Sequence, residues 1–262
     1  MLSKNKINYI LSLQKKKVRE EEKLFVIEGD KLVKEFLSAN QPVKTLVAKP
    51  EFLNALPLVH KHGIDEIIPC GYEDLKKVTS LKTPHNALAI VRMPETRMDP
   101  DFLNKGLTVA LDFIQDPGNL GTIIRAAAWF GIKNIVCSET CVDVFNPKVI
   151  QASMGAILHV KVFYTDLHIL LRNALNDGIR IYGAMLDGES IYSQKLEHTG
   201  IILLGNESKG ISEDLIPFIT DRIMIPGISE AGAGIDSLNV GMAASVIFSE
   251  FTRSRGREGE CG

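Results

Sequence analysis

Residues 107–125 read LTVALDFIQDPGNLGTIIR, and they predict the repeating unit of the fold. Residues 107–114 form an apolar run of strand length, and a helical pattern occupies residues 121–130. The segment between them, with aspartate, proline, glycine and asparagine in succession, is typical of a tight loop. A strand, a short loop and a helix in this order indicate one repeat of a parallel α/β sheet.

The same alternation extends in both directions and predicts two α/β domains. We expect a basic amphipathic helix near residues 4–18, strands at 43–48, 65–68 and 87–91, and later strands at 134–137, 159–164, 179–185, 201–204 and 222–225. The polar stretch 93–100 is bracketed by prolines and is the best linker candidate. The predicted organisation is a small α/β domain at 1–97, a linker at 98–106, and a second domain at 107–262 with a mostly parallel sheet and a basic tail.

Composition limits the class of protein. The chain has 262 residues, of which 45% are hydrophobic and 24% charged, as in an ordinary soluble globular protein. No apolar run approaches the roughly 20 residues that span a bilayer, and the N-terminus lacks the apolar core of a signal peptide. Four scattered cysteines fit a reducing compartment. We therefore expect a cytoplasmic protein without a membrane partner.

The distribution of charge is more informative than its sum. The net charge of -2 weighs against a nucleic-acid partner. However, residues 1–19 contain no acid and six basic residues, which are Lys4, Lys6, Lys15, Lys16, Lys17 and Arg19. The tail adds Arg253, Arg255 and Arg257. These clusters are either phosphate contacts or a solvated helix face with a frayed tail, and both interpretations remain open.

Three loops that follow predicted strands are candidates for a ligand site, because ligands bind at the carboxyl ends of parallel strands. They comprise residues 115–121, 205–210 and 226–236, the last closed by Ser237, Leu238 and Asn239. Arg125 shares a helix face with Gly121 and would lean back toward the first loop, either as a phosphate ligand or as an exposed surface arginine.

Familiar nucleotide and metal motifs are missing from these loops. The second lacks the ending of a P-loop, and the third lacks the last glycine of a dinucleotide fingerprint. His60 and His62 have no carboxylate or cysteine companions, and Cys137 and Cys141 fit buried thiols better than ligands. We expect no metal.

In this order the three loops resemble the motifs of a known family. Residues 119–127, 203–211 and 225–244 resemble the first, second and third motifs of the SpoU (TrmH-like) RNA 2′-O-ribose methyltransferases of the SPOUT superfamily. The resemblance covers about residues 107–251. Residues 15–29 resemble the family's accessory RNA-binding domain, which is related to ribosomal proteins.

The resemblance implies a fold, a cofactor and an oligomeric state. It implies a trefoil knot near the C-terminal end of the second domain, an exception to the rule against knots. It also implies S-adenosyl-L-methionine, released as S-adenosylhomocysteine, and a homodimer whose final helix contributes to the interface. By position the cofactor residues would be Gly183, Ala184, Gly205, Asn206, Ile225 and Leu238.

The implied reaction is methyl transfer to a ribose 2′-hydroxyl. The implied catalytic residues are Arg125, Asn119, Glu207, Ser237 and Asn239. In the family, the arginine that matches Arg125 is assigned the role of general base. A protonated guanidinium is physically better suited to bind phosphate and to stabilise the developing alkoxide. Ribosomal RNA of the 23S type is the expected substrate. The alternatives are a transfer-RNA methyltransferase and a non-catalytic RNA-binding protein that retains the fold.

Overall fold

The computed structural model describes residues 2–95, 97–99, 101–227 and 237–253. The first part of the chain forms α1 (Lys4–Ser12), α2 (Lys16–Glu22), β1 (Leu24–Glu28), α3 (Asp30–Ser38), β2 (Val43–Ala48), α4 (Pro50–Ala55), α5 (Leu58–Lys61), β3 (Ile64–Pro69), α6 (Tyr72–Val78) and β4 (Ala87–Arg92). The remainder forms β5 (Leu107–Leu111), α7 (Pro117–Trp129), β6 (Asn134–Cys137), α8 (Pro147–Ser153), β7 (Lys161–Tyr164), α9 (Leu167–Asn176), β8 (Ile181–Ser190), β9 (Gly200–Leu204), β10 (Asp221–Met224) and α10 (Val240–Thr252).

The chain folds into two compact units, and the first of them is discontinuous. It comprises Met1–Glu95 together with Asp143–Leu158, whereas the second comprises Thr96–Val142 and His159–Gly262. The inserted segment 143–158 carries α8, whose Ile150 belongs to the apolar core of the first unit. The Gln151 side-chain amide also donates a hydrogen bond to the Glu28 carbonyl over 2.8 Å. No local sequence pattern predicts that residues 143–158 belong to the first unit.

The first unit is a four-stranded sheet covered on both faces. The strand order is β1-β4-β2-β3, with β4 antiparallel to β1 and β2, and β2 parallel to β3. Side chains alternate across β1, so that Phe25 and Ile27 join one apolar cluster while Leu24 and Val26 join another. Burial on both faces explains why β1 reads as a continuous apolar run.

The predicted basic helix near residues 4–18 is wrong in its extent, since the chain forms α1 and α2 with a turn between them. Arg19 stabilises that turn and is only 2% exposed. Its guanidinium donates to the carbonyls of Leu13 over 3.0 Å and Gln14 over 2.7 Å, and it pairs with the Asp143 carboxylate. A buried guanidinium with these partners does not contact RNA.

Other members of the N-terminal basic cluster also have acidic partners. Lys16 and Lys17 pair with Glu20 and Glu21, one turn further along α2. Lys6 pairs with Glu66. These pairs favour the interpretation as a solvated helix face for Lys6, Lys16 and Lys17, because acids from α2 and β3 lie beside them. In the predicted basic tail, Arg253 pairs with Glu250 at 2.9 Å, while Arg255 and Arg257 lie outside the described residues.

The second unit contains a six-stranded sheet in which every neighbouring pair is parallel, as predicted. The strand order is β10-β8-β9-β5-β6-β7. Strand β9 lies inside the sheet and is buried along its whole length, which explains its wholly apolar sequence. All carboxyl ends lie at one edge, so this topology brings the loops after β5, β9 and β10 to a common side.

Two further expectations concern burial and membrane spans. Cys70, Cys137 and Cys141 are free, buried thiols. Among the helices that the structure describes, none has the length and apolarity required to cross a membrane.

Candidate active site

The first loop begins earlier than the sequence predicts, because β5 ends at Leu111 rather than continuing to residue 114. Phe113 adopts a left-handed backbone conformation with φ of 57°, which turns the chain out of the sheet. Helix α7 then starts at Pro117, with Asp116 as its N-cap: the Asp116 carboxylate accepts from the Asn119 backbone N–H over 2.8 Å. Asn119 is thereby fixed in the first helical turn.

The second loop is a tight reversal after β9. Asn206 and Gly210 exchange backbone hydrogen bonds of 2.9 and 2.8 Å, and the Asn206 side chain donates to the Phe113 carbonyl over 3.0 Å. A Cβ atom at Gly205 would lie 2.2 Å from the Gly210 carbonyl carbon, so only glycine fits there. The reversal leaves Glu207 exposed at its tip.

A buried carboxylate attaches this second loop to the end of β5. Asp112 is 5% exposed, and its Oδ2 accepts from the Ser212 backbone N–H over 2.8 Å and from the Ser212 hydroxyl over 2.6 Å. The Lys209 ammonium lies 4.8 Å from the centroid of the Phe113 ring. Sequence reasoning missed Asp112 and Ser212; the available signal was an aspartate interrupting an apolar strand.

The third loop ends at Asn239, which has two functions at once. Its Oδ1 caps α10 by accepting from the backbone N–H groups of Gly241 over 3.0 Å and Met242 over 3.4 Å. Its Nδ2 donates to Asn119 Oδ1 over 2.9 Å. Gly241 permits close packing of α10 on α7, since a Cβ atom there would lie 3.0 Å from Thr122 Cγ2.

Three of the predicted catalytic side chains are in direct contact. Asn119 uses both ends of its amide: Nδ2 donates to the Glu207 carboxylate, and Oδ1 accepts from Asn239. One residue from each loop thus forms a continuous hydrogen-bonded row, which we call the Asn119 row (Glu207, Asn119 and Asn239). The row lies at the protein surface and joins α7, the second loop and α10.

The other two predicted catalytic residues are Arg125, on α7, and Ser237, which precedes α10. Arg125 is exposed on the face of α7 that also carries Thr122, two turns beyond the helix start. Ser237 is exposed two positions before Asn239, and it makes no hydrogen bond to the row within the described part of the chain. The helix N-terminus near Arg125 is less open than the sequence predicts, because Asp116 already accepts from the Asn119 amide.

The predicted cofactor residues Gly205 and Ile225 directly follow β9 and β10. Gly183 and Ala184 instead lie within β8, because this strand continues to Ser190 and does not end at the predicted residue 185. Gly183 pairs with Leu203, two residues before Gly205, and the β8–β9 ladder runs only from Ile181 to Gly183. Beyond this point β8 departs from β9, so the backbone of Ala184 and its successors lies outside that ladder. Backbone groups that are not used in the β8–β9 ladder can bind a ligand.

Two further predicted cofactor residues supply apolar surface. Ile225 directly follows β10 and is half-buried, and Leu238 is 47% exposed beside the Asn119 row. This combination of backbone and apolar groups suits an adenosyl group. The described residues contain no group of three or more histidine, cysteine or acidic side chains that could hold a metal ion.

The buried thiols of Cys137 and Cys141 lie beside the start of the first loop. Cys141 Sγ accepts from the Ile114 backbone N–H over 3.2 Å. Hydrogen bonds from Cys137 and Ser138 lower the pKa of Cys141 to about 7, against the effect of burial. The same contact and burial raise the pKa of Cys137. These thiols are structural partners of the loop backbone, in agreement with their prediction as buried residues.

Comparison with known proteins places this geometry in a family. The model of the SpoU rRNA Methylase family matches residues 106–249, and that of the MRM3-like substrate binding domain matches residues 4–89. The chain is 29% identical to the 23S rRNA (guanosine(2553)-2'-O)-methyltransferase RlmP of Bacillus subtilis, over 90% of this chain and 91% of that protein.

Solved structures agree with this assignment along nearly the whole chain. A putative RNA methyltransferase of the TrmH family from Porphyromonas gingivalis has 38% identity and a TM-score of 0.85, with 97% of this chain and 99% of that chain covered. An AdoMet-bound rRNA methyltransferase from Sinorhizobium meliloti has 25% identity and a TM-score of 0.83, with 97% of both chains covered. The chain therefore belongs to the SpoU rRNA methylase family.

Proposed function

We propose that this protein transfers a methyl group from S-adenosyl-L-methionine to a ribose 2′-hydroxyl of ribosomal RNA. The observation that carries the proposal is the Asn119 row, which joins the three motif loops through direct side-chain hydrogen bonds. The similarity to a 23S rRNA 2'-O-methyltransferase over nine-tenths of both chains supports the choice of RNA.

The reaction requires a weak nucleophile to be aligned and its developing charge to be stabilised. S-adenosyl-L-methionine supplies a methyl group already activated on sulfonium, so no metal is needed. Arg125, exposed on α7, binds a substrate phosphate and stabilises the alkoxide that develops as the hydroxyl gives its proton to solvent water.

The Asn119 row orients the substrate ribose. Glu207 and Asn239 fix both ends of the Asn119 amide, and an amide held in this way loses little freedom when a hydroxyl binds beside it. Ser237 assists at the neighbouring exposed position. The adenosyl group is held by Gly183, Ala184, Gly205, Asn206, Ile225 and Leu238, and S-adenosylhomocysteine leaves from the same edge.

Several properties implied by the family complete the proposal. We assign substrate binding to residues 1–97, a linker to 98–106 and methyl transfer to 107–262. The trefoil knot is supported by the strand order β10-β8-β9-β5 and by the return of α10 to α7. We infer a cytoplasmic setting from the buried free thiols.

The proposed homodimer uses the exposed side of α10. Val240, Ala244 and Ile247 are buried within the chain, so they belong to its own core. Met242 is 63% exposed on α10 and Trp129 is 84% exposed on α7. These side chains supply apolar surface for a second copy, and sedimentation velocity would measure the dimer directly.

The proposed reaction is tested by incubating tritiated S-adenosyl-L-methionine with deproteinised large-subunit rRNA, intact ribosomal subunits and transfer RNA. We expect label in rRNA or ribosomal subunits, at a 2′-O position that reverse transcription at low nucleotide concentration then locates. Label in transfer RNA alone would make the substrate assignment wrong. Binding of the cofactor without transfer to any RNA would identify a non-catalytic RNA-binding protein instead.

A substitution at Arg125 tests the assignment of roles. Arg125→Ala is expected to lower the transfer rate at least 100-fold while the cofactor Kd, measured by calorimetry, changes less than about twofold, because the side chain acts on RNA. Arg172→Ala removes another exposed arginine of the same unit, on α9, and serves as the matched control. A collapse of cofactor affinity in Arg125→Ala would refute its placement on the RNA side.

A further inference from the structure

We propose that one edge of the first unit binds a single-stranded segment of the substrate RNA. We call it the basic edge; its members are Lys49, Tyr72, Lys76, Lys82 and His85. The lysines contact phosphates, and a base stacks on Tyr72. The inference rests on the proposed function and adds to it the residues that would hold the RNA away from the reacting ribose.

The topology of the sheet brings four chain segments together at this edge. The carboxyl ends of β1, β2 and β3 meet the start of β4, because β4 runs antiparallel to its neighbours. Backbone hydrogen bonds continue the pairing past the strands, from Gly29 to Ala87 over 3.0 Å and from Lys49 to Asn86 over 2.9 Å. Because neighbouring strands are about 4.8 Å apart, the four segments together extend about 15 Å across the sheet.

The loop that carries Lys82 and His85 is held by two carboxylates. The buried Glu28 accepts from the Thr79 hydroxyl over 2.5 Å, the Ser80 N–H over 2.8 Å and the Ser80 hydroxyl over 2.7 Å. Asp30 accepts from the Asn86 N–H over 3.0 Å and from its side-chain amide over 2.7 Å. Both acids face the loop, so their hydrogen bonds fix it while Lys82 and His85 stay exposed.

The glycine at the end of β1 contributes to the same arrangement. Gly29 has φ of 117°, a conformation that L-residues rarely adopt, and the His85 ring lies 3.7 Å from the position a Cβ atom would take. The loop is thus positioned before any ligand binds, which lowers the entropy cost of binding.

An exposed aromatic ring beside lysines provides the chemistry for RNA. Tyr72 is 43% exposed at the start of α6, and the Lys49 ammonium lies 5.4 Å from its ring centroid. Lys76 is exposed one turn further on. Bases of single-stranded RNA stack on such rings while lysines neutralise the adjoining phosphates.

The lysines of the basic edge differ from several paired basic groups elsewhere in this unit. At the opposite edge Arg92 pairs with Asp65 at 2.6 Å, and Lys6 pairs with Glu66. Within the described residues Lys49, Lys76 and Lys82 form no ion pair. Their positive charge can therefore be used for phosphate contacts without breaking an ion pair first.

The test measures binding of radiolabelled, unmodified large-subunit rRNA to the full chain by filter retention at several salt concentrations. Lys49→Ala/Lys82→Ala should weaken binding about tenfold and reduce the slope of log K against log salt by about 1.4, since each single-strand phosphate contact contributes roughly 0.7. Tyr72→Ala should weaken binding about tenfold, whereas Tyr72→Phe keeps the ring and should bind like the natural protein.

Controls separate this edge from general electrostatics and from catalysis. Lys16→Ala/Lys17→Ala removes two cations that pair with Glu20 and Glu21, and it should change RNA affinity less than about twofold. The basic-edge variants should also keep their cofactor Kd and their transfer rate at saturating RNA. Natural affinity in both Lys49→Ala/Lys82→Ala and Tyr72→Ala would overturn the inference. RNA binding by the natural protein that weakens in these variants, without methyl transfer to any RNA by the natural protein, would instead contradict the proposed function and leave this inference standing.

Discussion

Replacement of Asp112 should disable the site without touching any proposed catalytic residue. Its carboxylate receives both the N–H and the hydroxyl of Ser212, and it thereby anchors the chain just after the loop that presents Glu207. We therefore expect Asp112→Asn and Asp112→Ala to release this loop from the end of β5, and Glu207 to lose its fixed contact with Asn119.

The magnitude follows from the contacts. A hydrogen bond to a charged group contributes about 1.5–3 kcal/mol, and Asp112→Ala removes two of them. That loss, about 3–6 kcal/mol, is large enough to make the anchored conformation a minor one. Asparagine keeps one acceptor oxygen without the charge, so Asp112→Asn should lose about 1–3 kcal/mol. Because misplacement by about 1 Å can lower a rate about 100-fold, we expect kcat to fall 10-fold in Asp112→Asn and 100-fold in Asp112→Ala.

The assay is methyl transfer in single turnover at saturating RNA and cofactor, together with thermal unfolding followed by circular dichroism. Ser212→Ala keeps the N–H donor and removes only the hydroxyl, so its loss should be about half that of Asp112→Ala. Asp214→Asn changes an exposed acid of the same segment and is the matched control. Rates within twofold of the natural protein in both Asp112 variants would contradict this anchoring role of Asp112, as would an equal loss in Asp214→Asn.

Two further predictions concern the stability of the first unit and the affinity for the cofactor. Arg19→Ala should lower the free energy of unfolding of the first unit by about 3–5 kcal/mol, because it leaves the Asp143 carboxylate without its partner. The control Lys16→Ala removes an exposed ion pair and should lower it by less than about 1 kcal/mol. Equal urea midpoints for the two variants would contradict this prediction. Gly205→Ala should abolish cofactor binding measured by calorimetry, since its Cβ atom would lie 2.2 Å from the Gly210 carbonyl carbon, and retained affinity would show that the loop can open.

Local patterns in the sequence were sufficient to locate the strands and the parallel sheet of the second unit, but they extended β5 to residue 114 and ended β8 at residue 185, short of Ser190. Apolar runs and the glycine and proline signals depend on neighbouring residues, so they can be recognised in a single sequence. The helix limits were less accurate. Pro117 starts α7 before the predicted residue 121, because proline suits the first helical position and Asp116 caps it.

Contacts between distant residues could not be predicted from those patterns. Asn119 and Glu207 are 88 positions apart, and Arg19 and Asp143 are 124 apart. A run of basic residues predicts that each of them is exposed. The fold nevertheless buries Arg19 against an acid from another part of the chain. The left-handed backbone of Phe113, which carries no glycine or asparagine signal, likewise ended a strand that the apolar pattern extended.

The inserted segment 143–158 sets an order on the biosynthesis of the protein. The first unit needs Asp143 and α8, yet Arg19 leaves the ribosome 124 residues before its carboxylate partner. At roughly 5–20 residues per second, the delay is about 6–25 seconds. During that interval the guanidinium stays hydrated, and the turn between α1 and α2 lacks its ion pair. The first unit can therefore complete its folding only after the ribosome has made residues 96–142 of the second unit.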